Sequence, residues 1–563
     1  MATARSHLVA LPKELIFQII GELDLAALLR LSVACKSLYH LISSSAPIQY
    51  RIELERAGYI NGSAAGPLTI TQRRARLRKH SRAWHGLSWA RSIDSELDSR
   101  FTHYYLYGGT IAFAIPSPSG TRLSFYELPS TISRTLGLEW PFEVSFNFGI
   151  WSFAFDQEQD LLVLIEKCVE GSSPRVHIMS MTTNMPHPSA KVHVLQAPPL
   201  PPGIQSVDAS FWLETVGDTI GLLVRLNDRI NTDGESYLIM WQWVTGLVKV
   251  NVTFPKYEAP DIFSFVSPTT FALSVISRQP AAALGDTLPS KTPMIEIYQV
   301  HDDNTHPLYP RPIHCATFLL PRIRDHIQVV EFLGRSEPPP VHQSFRSQQR
   351  PRPFHFASED RIFCFFLDIR REIDAGPHAL MFTRSSTLSN YTNYLSTDHG
   401  HARRIPWEEW GPPNTRWLEG NFASTSDHTC YVYGSRFAHR VSSSYDGDDD
   451  EIPIPELQTI DMFDFNPYAV EHEVRNGAAG DGGEGTGEDG STKYDAALGI
   501  TYRSITSPSI IPAGSLFVDD VHSSLPYREI HKVVKYAEDF SVLMDEENLI
   551  FLTERDTMRV CTM

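Results

Sequence analysis

Leu11, Pro12, Leu15, Ile16, Ile19 and Leu23, then Leu28, Leu29 and Leu31, then Cys35 and Leu38, form the densest pattern near the N-terminus. Apolar side chains of this kind do not move protons or attack carbonyls. Their chemistry is association, in which apolar area leaves water. Leu15, Ile16, Ile19, Ile20 and Leu23 recur at helical spacing, with Pro12 where a helix can start without losing a donor. Asp24 is a candidate N-cap for a second helix carrying Leu25, Leu28, Leu29 and Leu31, and Leu31 to Ile42 gives a third. A segment of about forty residues cannot bury this much leucine alone. It either caps a larger body or docks on a partner, and helix-in-groove docking is the natural mode.

Catalytic chemistry is thin elsewhere. No HExxH, GxSxG, P-loop or GxGxxG stands in a fitting context. The 22 histidines do not fall at metal-ligand spacing; His399 and His401 merely flank a glycine. Cys35, Cys168, Cys315, Cys364, Cys430 and Cys561 are scattered singly, without the CxxC pairs of a zinc ribbon or a basic neighbour to lower a thiol pKa. The expectation is no catalytic residue, no cofactor and no bound metal.

The net charge of −17 is uneven: residues 1–90 hold twelve Lys/Arg against five Asp/Glu, leaving −24 on the remainder. An acidic body is poor material for gripping phosphates, so nucleic acid is not an expected partner. No apolar run is long enough to span a bilayer, and Pro12, Lys13 and Glu14 interrupt any secretory h-region, so no membrane is expected and the compartment reads as cytoplasm and/or nucleus.

Three zones organise the 563 residues. The first, 8–46, is the leucine-rich helical segment. The second, 47–97, is a helical linker with a short helix stopped by Gly58 and a basic helix, TQRRARLRKHSRAWHGLSW, capped by Thr71. Its Arg73, Arg74, Arg76, Arg78, Lys79 and Arg82 read as a solvated face, with Leu77, Trp84 and Trp89 packing on the first blade of the third zone. That third zone, 98–563, changes period. An acidic, Gly or Pro turn followed by about six apolar residues recurs at 107–115, 156–166, 216–226, 267–276, 358–369, 427–434 and 545–553. One such unit cannot bury its own faces, whereas a closed radial array can. The expected architecture is therefore a divergent β-propeller of about seven blades, lacking the WD40 signature. Trp241, Gln242 and Trp243, and the run Trp407 to Trp410, are candidate surface contacts that read better as core. Insertions at 334–354, 441–456 and 474–493 have too little to bury and are expected to be disordered.

Leu8–Ser45 resembles the F-box. Leu11-Pro12, Glu14-Leu15-Ile16, Leu23-Asp24, Leu28-Leu29-x-Leu31 and Ala34-Cys35-Lys36 keep the family's order and spacing, with Ala34 and Leu38 standing where Val and Trp are usual. Tyr50–Gly62, the basic helix, Phe463–Pro467 and the tail from Leu525 to Leu552 resemble basidiomycete F-box proteins with a propeller-like C-terminal region. The resemblance implies a non-catalytic substrate-recognition subunit of a Skp1–cullin–F-box ubiquitin ligase. It would bind a Skp1-type adaptor, and through it a cullin, by the residues named at the start, and a protein substrate by the β domain. The alternatives are a Skp1-binding scaffold that recruits no ligase, or a propeller-fold hydrolase.

Overall fold

The computed structural model describes residues 11–563 except 63–67, 99, 134, 138–141, 168–171, 201–208, 227–235, 256–257, 278–291, 301–310, 325–326, 338, 340–351, 358–359, 371–377, 392–401, 421–431, 442–456, 471–491, 537–539 and 554–556. Five helices lead the chain: α1 (Lys13–Glu22), α2 (Leu25–Ala34), α3 (Lys36–Ser44), α4 (Ala46–Ala57) and α5 (Ile70–His85).

Seven antiparallel sheets follow, arranged as a propeller. Blades one to three each use four consecutive strands, within 103–146, 150–196 and 209–254. Blade four (260–319) adds Arg403–Ile405 as a parallel edge strand. Blade five comprises Gln328–Arg335, Ile362–Arg370, His378–Arg384 and Thr415–Gly420. Blade six is widened to six strands, with Arg436–Val441, Leu457–Asp464 and Tyr527–Lys535 at its centre. Blade seven joins Phe540–Met544, Asn548–Thr553 and Thr557–Thr562 to Arg91–Glu96, so the first and last strands of the propeller segment build one sheet.

The reason for closure is visible in the core. Each pair of neighbouring blades shares its own apolar cluster, and the last joins Leu106, Ile111 and Phe113 of blade one to Leu543, Ile550 and Val560 of blade seven. Second strands such as Leu161–Glu166 and Asn548–Thr553 are buried at every position, because a sheet covers each of their faces. Six of the seven sequence units are these second strands with their preceding turns; 427–434 instead reaches the innermost strand of blade six, and its first five residues lie outside the described set.

Several expectations need correction. Helical structure ends at His85, and Arg91–Glu96, assigned to the linker, is the closing strand of the ring. The first cap of α5 is Thr69, not Thr71: Thr69 and Gln72 form a reciprocal capping box. Trp84 packs between blades six and seven rather than on blade one. The edges of the expected insertions are ordered: Gly334 and Arg335 end a strand, Phe354–Phe356 forms another, and Val441 and Lys493 lie in blade six. The insertions' interiors at 340–351, 442–456 and 474–491 lie outside the described residues. Trp241, Trp243, Trp407 and Trp410 are all buried, the last two on a short helix, Trp407–Asn414. Its indoles pack in the core of blades four and five.

The closing strand pairs with residues more than 460 positions later in sequence, as in Asp94 with Arg559, which also form a two-pronged ion pair at 2.6 and 2.9 Å. A fragment beginning at residue 98 leaves blade seven with an open edge. It is expected to melt at a lower temperature, and aggregate more, than one beginning at residue 88, in a side-by-side thermal scan.

Candidate functional site

The N-terminal helices build a small core from Ile16, Ile20, Leu25, Leu28, Leu38, Ile42, Ile48 and Ile52, with Leu23, Leu29, Leu31, Leu41 and Tyr468 packed around it. Pro12 precedes the first turn of α1, and Asp24 caps α2, its Oδ1 accepting from the Ala27 amide at 2.6 Å. Cys35 is extended and divides α2 from α3.

This core sorts the sequence-predicted residues. Ile16, Leu28 and Leu38 are buried in the domain itself, and Leu23, Leu29 and Leu31 are half-buried. Leu11, Pro12, Leu15, Ile19 and Cys35 are exposed. Three further exposed apolar residues escaped the sequence reading: Phe17, Val33 and Tyr39. Val33 is 80% exposed, unusual for a β-branched aliphatic in a helix beside a core. Leu15 and Ile19 lie on one side of the buried stripe Ile16/Ile20, and Phe17 on the other. The signal that could have found them is simple: α1 carries more apolar residues than one buried stripe can hold.

Residues 8–49 match the F-box-like family model. The chain carries an F-box-like domain. No curated protein matches the chain. Among solved structures, extracellular domains 1–2 of Drosophila Semaphorin 1b share 6% identity over 84% of this chain and 86% of that one, with a TM-score of 0.34. BamB from Moraxella catarrhalis shares 10% over 84% and 99%, with a TM-score of 0.28. The uncharacterized protein lmo1340 from Listeria monocytogenes EGD-e shares 10% over 51% of this chain and 66% of that one, just under two thirds of its length, with a TM-score of 0.25. At these scores the likenesses add nothing to the ring read from the sheets.

The F-box core does not stop where the sequence match does. Helix α4 is buried on two sides: Ile48 and Ile52 enter the F-box core, while Tyr50 and Leu54 enter a second cluster with Tyr59, Leu77, Ile132, Phe354 and Phe356. Arg51, between them, donates to the carbonyls of Ile20 (3.0 Å), Gly21 (2.8 Å) and Leu23. It thus satisfies the orphan carbonyls at the C-terminus of α1, where a cation also meets the helix dipole favourably. Gly58 ends α4 in the left-handed region at φ 75°, and the chain turns into a strand, Tyr59–Asn61, that pairs with Phe354–Phe356 in a separate two-stranded sheet, the latter strand coming from the stretch between the first two strands of blade five.

The basic face of α5 is solvated only in part: Arg78, Lys79 and Arg82 are exposed, whereas Arg73, Arg74 and Arg76 are drawn into contacts. Arg74 and Arg78 each reach Glu53 of α4 at 2.7 Å, and Arg76 donates to the Ile132 carbonyl at 2.6 Å. Burial works against the charge of Glu53, but hydrogen bonds from Arg74 and Arg78 outweigh it and hold the carboxyl below its ordinary range. Arg73 is 5% exposed and donates to Asn61 Oδ1 and the Pro353 carbonyl.

Beneath α5 lies a buried polar latch. Trp84 Nε1 donates to the Glu546 carbonyl at 3.0 Å. Glu547 accepts from Ser130 Oγ, Thr131 Oγ1 and the Ile132 amide. Arg352 pairs with Glu546, whose carboxyl burial nevertheless raises to about 7. Arg352 comes from the loop joining the first two strands of blade five, Glu546 and Glu547 from the turn joining the first two strands of blade seven, and Ser130 to Ile132 from the loop joining the third and fourth strands of blade one, all at the same end of the propeller. The F-box is therefore mounted on one end of the propeller, leaving the opposite end clear of it.

Arg51→Met should weaken the F-box by about 1.5–3 kcal/mol, the usual worth of charge-assisted hydrogen bonds, read as faster amide exchange in α1. His80 hydrogen-bonds Tyr59 Oη at 2.6 Å, and burial, then the charges of Arg436 and Arg352, push its pKa from 6.5 down to about 3. The unfolded chain then binds a proton that the native state refuses as pH falls from 6.5 toward 3, so this stability is full above pH 6.5 and lost through that window. Replacing His80 with Gln should make the acid limb of a melting-temperature profile shallower; an unchanged limb would show that other groups set it.

Proposed function

We propose that the protein is a substrate-recognition subunit of a Skp1–cullin–F-box ubiquitin ligase. It acts as a non-catalytic adaptor in the cytoplasm or nucleus. The observation that carries the reading is the exposed apolar surface of the F-box: Leu11, Pro12, Leu15, Phe17, Ile19, Val33, Cys35 and Tyr39 remain in water around a core that is already filled. Exposed apolar surface beside a satisfied core is a docking face. An F-box implies a Skp1-type adaptor as its occupant, and through it a cullin.

The mount supports the rest of the reading. A substrate receptor must hold its cargo at a fixed distance from the ligase. Here α4 and α5 join F-box and propeller through shared apolar cores instead of a free tether. The substrate surface belongs to the propeller end away from the F-box, where loops join second to third strands. Function on a propeller lives in such loops.

Leu15→Asp with Ile19→Asp places charge on exposed positions only. The double variant should keep the melting temperature of the parent while losing Skp1 binding by at least about tenfold, measured by calorimetry with purified adaptor. Retained binding would move the docking face elsewhere. Co-purification of Skp1 without a cullin would favour a scaffold outside any ligase.

A further inference from the structure

The gap between blades five and six holds a second site. His439, Asp461 and His531 stand directly opposite one another on three adjacent strands of blade six. Paired residues in a sheet share a face, and Glu529, two residues before His531, shares it too. The same face carries Phe437 and Phe463, which pack against Phe382 of blade five, so the polar cluster rests on an apolar floor. Asp461 and Glu529 are buried and His531 is half-buried. One ligand-capable atom from each of Asp461, Glu529 and His531 lies within 4.8 Å of the others.

The distances assign roles to the atoms. His531 Nε2 stands 3.5 Å from Glu529 Oε1. Two ligands about 2.0–2.1 Å from one tetrahedral ion would be about 3.3–3.4 Å apart. His531 Nδ1 is 2.6 Å from Asp461 Oδ1, the carboxylate–histidine contact that orients a ring and leaves its far nitrogen to a metal. His439 Nδ1 is 3.0 Å from the Arg440 carbonyl, which can only accept, so Nδ1 carries the hydrogen and Nε2 the lone pair of the neutral ring. That Nε2 is 3.9 Å from Asp461 Oδ2. Arg503 Nε donates to Glu529 Oε2, directing Oε1 toward His531.

We propose that this cluster binds one divalent transition-metal ion of the Zn²⁺ class. His531 Nε2 and Glu529 Oε1 are the primary ligands. Asp461 holds the His531 ring in place without ligating, and His439 Nε2, after side-chain rotation, and water complete the shell. A mixed imidazole and carboxylate set suits zinc and its neighbours, whereas calcium and magnesium call for oxygen throughout. The ion would tie together the three central strands of the widened blade. It owes nothing to the F-box reading and would hold if that reading failed.

The test uses the full chain, stripped with a chelator and dialysed. Zn²⁺ is titrated against a chromophoric chelator, and Co²⁺ uptake is followed by its visible spectrum. The expected result is one ion per chain, a four-coordinate Co²⁺ spectrum and a higher melting temperature with Zn²⁺. Glu529→Gln preserves volume and should weaken Zn²⁺ binding by about ten- to a hundredfold, as should Asp461→Asn through the loss of ring orientation. His531→Ala should abolish it. His177→Ala removes a comparable His–Glu pair on blade two and should leave uptake unchanged. The proposal fails if the folded wild type takes up no stoichiometric Zn²⁺, if it prefers Mg²⁺ or Ca²⁺, or if Glu529→Gln binds Zn²⁺ as tightly as its parent.

Discussion

Helix α4 belongs to two cores at once, and the geometry of the whole molecule hangs on that fact. Ile48 and Ile52 complete the F-box, while Tyr50 and Leu54 complete the cluster above the propeller. A helix buried on one face can pivot on a partner. One buried on two faces cannot rotate without uncovering apolar area at about 25 cal/mol per Å². Arg51 adds a polar constraint in the same helix by reaching back to the end of α1. The result is that the F-box and the propeller are held as one body.

Below α4, the mount relies on polar groups that are costly to bury. Glu546, Glu547, Arg436, Asp464 and His80 are all withdrawn from water in the fold. Such groups add little net stability compared with an apolar core, but leaving one without its partner is expensive. They therefore favour one seating of α5 over alternatives in which a carboxylate or guanidinium loses its match. Gly434 belongs to the same fit: it holds φ 59°, and a Cβ there would come within 2.4 Å of the Phe356 ring that packs under Tyr59.

Much of this was legible from local pattern. The helices of the F-box are set by apolar residues three and four apart, and the blades by a turn followed by a short apolar strand. Both signals fit inside a window of about ten residues. The burial of Trp241, Trp243, Trp407 and Trp410 was also readable, since large aromatics in apolar runs are usually core. What escaped was anything decided by distant partners. Leu15 and Ile16 are adjacent and chemically alike, yet one is 45% exposed and the other 4%. Arg73, Arg74 and Arg76 of α5 could not be told from the solvated Arg78 and Arg82, because their acceptors, Glu53 and the Ile132 and Pro353 carbonyls, come from three separate stretches of chain.

By itself, then, the sequence determined the element types, the seven-fold repetition and the F-box-like pattern, because each is written in side-chain periodicity over a single turn or strand. Tertiary structure alone decided which apolar residues of the F-box stay in water, that Arg91–Glu96 closes the ring, and that His439, Asp461, Glu529 and His531 meet on one face. Burial and strand register join residues up to hundreds of positions apart, and no local pattern records that pairing.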